Sequence, residues 1–157
     1  MKRLLLALVA MGLIGCGSSM PTTVDAPVNP VTLMAGSWSG AYGIIHMAFT
    51  LTSTGNGPCV SLTDSTVVPG MGTCAVFTGT GTQIITGFPD VVPTTVFAQF
   101  QNDTVWIKIS PTSFYPYSMK MHVGNNSADG NIFNTAQTPF AVYYPLGFLP
   151  LVLTKTQ

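Results

Sequence analysis

Between Thr104 and Ser110 apolar and polar residues alternate without a break. Val105, Ile107 and Ile109 fall on one side, and Thr104, Trp106, Lys108 and Ser110 on the other. A period of two sends successive side chains to opposite faces of an extended chain, so this stretch predicts a strand with one buried face. The same alternation runs from His46 to Ser53, where Met47, Phe49 and Leu51 share a side. It returns from Tyr117 to Val123, with Tyr117, Met119, Met121 and Val123 expected inward and Ser118, Lys120 and His122 outward.

Turn residues divide the chain between these runs. Gly55-Asn56-Gly57-Pro58 and Pro69-Gly70-Met71-Gly72 read as turns, and Gly79-Thr80-Gly81 as a further break. Short strands are expected at Cys59–Thr63, Cys74–Thr78, Gln83–Thr86 and Thr95–Phe100. Gln101-Asn102-Asp103 is a turn candidate, and Gly124 to Gly130 reads as a polar loop. Asn131–Asn134, Phe140–Tyr144 and Phe148–Thr154 complete the set. This makes about nine strands and no convincing amphipathic helix. The predicted fold is all-β, a small antiparallel meander barrel of about eight to nine strands, with a β-sandwich as the alternative. A barrel is preferred because so few charges are available to protect open sheet edges. Pro150 in the last strand argues for an edge or bulge there, and so against perfect closure.

The N-terminus has a different character. Lys2 and Arg3 precede an apolar run from Leu4 to Ile14, which ends in Leu13-Ile14-Gly15-Cys16. A run this short falls below the ~20 residues that a spanning helix needs, and has the length of a signal core. The tetrapeptide resembles the lipobox of bacterial lipoprotein precursors. That resemblance implies cleavage before Cys16 and lipid attachment to it, which would hold the protein on a membrane. In Gram-negative lipoproteins an Asp after the lipidated Cys tends to retain the protein at the inner membrane. Here the residue is Gly17, so the resemblance implies the outer membrane if the cell has two. The expected organisation is a signal peptide over 1–15, lipidated Cys16 and a flexible Pro-rich linker over 16–33, and an all-β domain over 34–157. About 140 residues follow the signal, enough for one domain with a real core.

Only 6% of residues are charged. Beyond Cys16 the cations are Lys108, Lys120 and Lys155, against Asp25, Asp64, Asp90, Asp103 and Asp129. No basic patch exists for nucleic acid. Of three cysteines, Cys16 goes to the lipid, leaving Cys59 and Cys74 as a pair. An exported protein meets an oxidising compartment, so a Cys59–Cys74 disulfide is expected, with two free buried thiols as the alternative. Neither His46 nor His122 is spaced to complete a metal site with either cysteine.

Gly36-Ser37-Trp38, at the head of the first strand, is similar to the Gly-x-Trp of lipocalins and related calycin barrels. That resemblance implies that Trp38 closes one end of a barrel under a basic residue from the last strand. Lys155 is the nearest match, where the family's residue is Arg. The resemblance covers three residues and a strand count, and concerns architecture alone.

No catalytic constellation is visible. Gly36-Ser37-Trp38-Ser39-Gly40 carries Trp rather than Ser at its centre, so it is not a nucleophile elbow. His46 and His122 read as surface or structural residues. No cofactor and no metal is expected. The aromatics are more suggestive, and Trp38, Trp106, Tyr115 and Tyr117 are the candidate ligand or partner contacts. The inward Met47, Phe49, Ile107 and Met121 are candidates for an apolar pocket. The expectation is a lipid-anchored, non-catalytic envelope lipoprotein whose β-domain binds a small apolar ligand or a partner protein. The alternatives are a structural or interaction module without a pocket and, third, an enzyme with a loop-built site.

Overall fold

The computed structural model describes residues 29–133 and 149–156. A short helix, α1 (Pro30–Met34), precedes eight strands: β1 (Gly36–Tyr42), β2 (Ile45–Pro58), β3 (Thr73–Ile85), β4 (Val91–Gln101), β5 (Thr104–Pro111), β6 (Tyr117–Val123), β7 (Ser127–Phe133) and β8 (Leu149–Lys155). Each strand pairs antiparallel with the next, and β8 returns to β1, closing an eight-stranded meander barrel.

The period-two stretches form the wall as expected. Along β5 the apolar residues Val105, Ile107 and Ile109 are buried, while Trp106 and Lys108 lie on the outer face and are half-buried. Met47, Phe49, Leu51, Met119 and Met121 all join one contiguous core. The expected strand at Phe140–Tyr144 lies outside the described residues.

Several turn signals behave differently. Gly55 to Pro58 does not turn the chain, because β2 continues through it with a bulge between Ser53 and Gly55. Gly55 takes φ 106°, which glycine adopts without steric cost. Cys59 to Thr63 is consequently not a regular strand, and only Val60 bridges across to Val67. Gly79 and Gly81 do not separate two strands either, since β3 runs unbroken for 13 residues. A Cβ on Gly81 would lie 2.2 Å from the Ala48 carbonyl oxygen and 2.5 Å from Phe49 Cβ. Here glycine permits close passage of β2 over β3 rather than a turn. The expected polar loop is also shorter, because Ser127 to Gly130 belong to β7. Gln101-Asn102-Asp103 is a turn, with positive φ of 49° at Asn102 and 62° at Asp103.

Pro150 is compatible with closure. The β1–β8 ladder begins at Val152, so Pro150 pairs only with Asn131 of β7 and lies beyond the closing seam. Ser118 differs from expectation, being fully buried although it lies on the outward register of β6. It lies in register with Lys108 of β5 and Phe133 of β7.

The last residues of the expected linker take part in the fold. Asn29 caps α1 through its Oδ1, which accepts the Val31 N–H at 3.0 Å, and Pro30 opens the helix where its missing N–H costs nothing. Leu33 and Met34 are buried against the barrel core.

Cys59 and Cys74 form a disulfide, with Cα atoms 5.1 Å apart, at the base of the β2–β3 loop. It ties the residue just after β2 to the second residue of β3. Closing a loop of this length is worth roughly 3 kcal/mol in the chain-entropy account.

Substituting Gly81→Ala should destabilise the barrel by about 2–3 kcal/mol through overpacking against the β2 backbone. Gly124→Ala, where the nearest atom to the new Cβ is 3.5 Å away, should change stability by less than ~0.5 kcal/mol. Urea unfolding of the two variants checks the contrast.

Candidate functional site

The interior changes in chemistry from one end of the barrel to the other. At the α1 end, Trp38 is 2% exposed. Its Nε1–H donates to the Met34 carbonyl at 2.9 Å, tying β1 to the helix that precedes it. Lys155, directly opposite Trp38 in the closing register, places Nζ 5.8 Å from the indole centroid. The same ammonium donates to the carbonyls of Thr32 at 2.7 Å and Leu33 at 3.0 Å. One cation thus serves the last carbonyls of α1, the ring beneath it and the barrel seam. Trp38 is a structural plug and not an accessible contact.

At the opposite end polar side chains project inward, Tyr42, Gln83 and Tyr117 among them. The Tyr117 hydroxyl donates to Gln83 Oε1 at 2.9 Å, and the Tyr117 ring meets Tyr42 edge-on with centroids 6.0 Å apart. Burial, with Tyr42 beside it, raises the Tyr117 hydroxyl well above the usual tyrosine range. Gln83 is buried, and its Nε2 has no hydrogen-bond partner among the described residues. Tyr117 belongs to this internal group and is withdrawn from the surface. Met47, Phe49, Ile107 and Met121 pack in the continuous core between the two ends.

The outer wall carries a second feature. The chain from Cys59 to Gly72 folds back over β4 and β5. Gln99, on the outward register of β4, is only 3% exposed because this loop covers it. Its amide pairs with the Val60 backbone in both directions. Oε1 accepts the Val60 N–H and Nε2 donates to the Val60 carbonyl, each at 2.6 Å. Gln101 Nε2 donates to the Met71 carbonyl and, at 3.3 Å, to that of Thr73. Within the loop, Ser61 N–H donates to Thr66 at 2.7 Å and Val68 N–H to Cys59 at 2.9 Å.

Between this loop and the wall lies a recess of about 180 Å³, lined by residues including Val60, Leu62, Val68, Met71 and Trp106. Trp106 is cross-strand to Gln99 on one side and to Lys120 on the other. It is therefore the sequence candidate that meets a concave apolar surface. Tyr115, 52% exposed, lies in the β5–β6 connection and does not line the recess. The structure brings Cys59, Cys74 and Trp106 to one site and leaves Trp38 and Tyr117 inside the barrel. Sequence reasoning missed Gln99, because an outward polar residue in a strand looks like ordinary surface until a distant loop covers it.

His46 and His122 are both exposed on outer strand faces. Among the described residues no three His, Cys, Asp or Glu side chains gather as a metal site, and no helix is long and apolar enough to cross a membrane. Comparisons with protein-family models, with curated proteins and with solved structures found no match.

Replacing Lys155 by Met should cost about 2 kcal/mol, through loss of two charge-assisted hydrogen bonds and the contact with Trp38, as read by chemical denaturation. The raised Tyr117 hydroxyl sets a sign at alkaline pH. Its neutral form contributes fully below the unfolded-state value of about 10, and that contribution is lost as pH climbs toward the higher folded-state value. Stability should therefore fall above pH ~10, with a shallower slope in Tyr117→Phe, as measured by urea midpoints across that range.

Proposed function

We propose that this chain is a lipid-anchored cell-envelope lipoprotein whose barrel is a non-catalytic binding module, with the Trp106 recess as its docking site for a partner protein. The recess carries this reading. It is apolar, concave and walled by an indole, a side chain enriched at the energetic centres of protein interfaces. Its size supports a partner side chain over a small-molecule ligand. Pockets for small-molecule ligands span roughly 300–1,000 Å³, whereas a cavity of ~150 Å³ takes a single benzene ring. A volume of about 180 Å³ suits one side chain of a partner better than a lipid or a cofactor.

The lipobox-like Leu13-Ile14-Gly15-Cys16 supports the membrane address, with lipid on Cys16 as the link to the membrane and Gly17 favouring the outer one. The stacking of Lys155 over Trp38 beside α1 supports a calycin-like architecture. The absence of a cofactor and of catalytic chemistry belongs to the same proposal. Its support is that the exposed His46 and His122 stand on different strands, β2 and β6.

A second reading rests on Gln83. A buried amide N–H without a partner costs about 1–3 kcal/mol, and an acceptor atom on a small apolar ligand inside the barrel would satisfy it. The core packed around Met47, Phe49, Ile107 and Met121 favours the outer recess.

The address is tested by membrane fractionation and intact mass. Wild type should sediment with membranes and carry a lipid-sized mass increment on a chain beginning at Cys16. Cys16→Ala should be soluble and unmodified. A soluble, unmodified wild type would refute the anchor. For the binding module, in-cell crosslinking from a photo-reactive residue placed at Thr63, on the rim of the recess, should capture an envelope protein. That product should be lost in Trp106→Ala.

A further inference from the structure

The recess is apolar, and the outer wall beside its Trp106 carries two lysines. Across the outer wall at the level of Trp106 the order is Gln99 on β4, Trp106 on β5 and Lys120 on β6. The Cys59–Gly72 loop covers the Gln99 side, so Lys120 stands on the open side. Directly opposed residues in an antiparallel pair have Cβ atoms ~5 Å apart. Lys108 follows Trp106 two positions along the same face of β5, and it is half-buried where Lys120 is exposed. Two of the three lysines beyond Cys16 therefore flank one indole. Neither makes an ion pair or a side-chain hydrogen bond with a described residue.

Among the described residues no acid makes an ion pair with either lysine. Asp64, on the covering loop, accepts hydrogen bonds from the Thr66 hydroxyl at 2.8 Å and the Thr66 N–H at 3.1 Å. Those bonds hold it below the usual carboxylate range. Asp103 and Asp129 lie toward the end of the strands. Asp103 immediately precedes β5, and Asp129 opposes His122, two residues beyond Lys120.

Resting on the docking reading above, we infer that the partner presents an apolar side chain followed immediately by carboxylates, the apolar group entering the recess and the acids meeting Lys120 and Lys108. Two features of the site set these requirements. The volume admits one ring-sized group. The two lysines, which make no ion pair with a described residue, stand beside the indole on the side away from the loop and call for negative charge next to that group. A neutral segment would leave both cations facing the interface without a counter-charge, and a basic one would be repelled.

The test uses the detergent-solubilised full chain and two synthetic peptides, acetyl-Gly-Phe-Asp-Asp-Gly-amide and its counterpart with Asn in place of both Asp. Trp106 emission reports occupancy, since Trp38 is sealed inside the barrel. The acidic peptide should bind at low ionic strength about five-fold more tightly than the Asn peptide, the size that two exposed ion pairs supply. The preference should shrink with added salt and vanish in Lys108→Met/Lys120→Met, which keeps the apolar stems. Lys108→Arg/Lys120→Arg should retain it, which guards against misfolding of the Met variant. Asp64→Asn should strengthen binding of the acidic peptide. Equal binding of both peptides to wild type would overturn the charge inference while leaving the recess as a docking site. Binding of neither, with no change in Trp106 emission, would overturn the recess itself and the docking reading with it.

Discussion

The seam between β1 and β8 is the constraint on which the rest of the barrel depends. A meander of eight strands has two free edges until the last strand meets the first, and every unpaired N–H and C=O on those edges invites pairing with another chain. Trp38 and Lys155 face each other across that seam. The Lys155 ammonium reaches past the ring to the carbonyls at the end of α1, and the indole N–H bonds to Met34. The helix, the first strand and the last strand are therefore locked at one point. The segment before the barrel becomes its end cap, and Leu33 and Met34 complete the core from outside the sheet.

Closure then controls what each face of the wall is free to do. With the main apolar rows of the strands turned inward, the outer face carries hydroxyls, amides and few charges, with exposed apolar residues such as Ile84, Val91 and Val152 among them. A flat surface of this kind becomes concave only where something shapes it. The Cys59–Gly72 loop does so by folding back onto β4 and β5. The disulfide holds the loop at its base, while Gln99 grips the Val60 backbone farther out as one more rung of sheet. The recess beside Trp106 is the gap left between this loop and the wall. A local covalent link and a single buried amide thus convert plain sheet surface into a concave apolar site.

The two glycine-bearing stretches of β2 and β3 show why turn signals misled. Gly55 to Pro58 and Gly79 to Gly81 have the composition of turns, but the chain uses them for a bulge and for close strand passage. A tightly curved small barrel needs positions without a Cβ on its inner surface, and glycine meets that need as well as it meets a turn. The cysteine pairing was legible because the lipobox resemblance assigns Cys16 to a lipid and the chain to an oxidising compartment, an expectation that leaves Cys59 and Cys74 as a pair.

The sequence by itself determined the strand class and the inward faces, because side-chain period in an extended chain is a local property. Val105, Ile107 and Ile109 needed no knowledge of the rest of the molecule to be placed inside. It also pointed to Trp38 and Lys155 as partners. Only the tertiary structure decided that Trp106, rather than Trp38 or Tyr117, faces a concave outer site. The same holds for the roles of Gln83 and Gln99. Each is a polar residue whose meaning depends on what a chain segment distant in sequence brings against it: Tyr117 for the first, the Val60 backbone for the second. Burial of that kind is set by closure and loop placement, which no local pattern encodes.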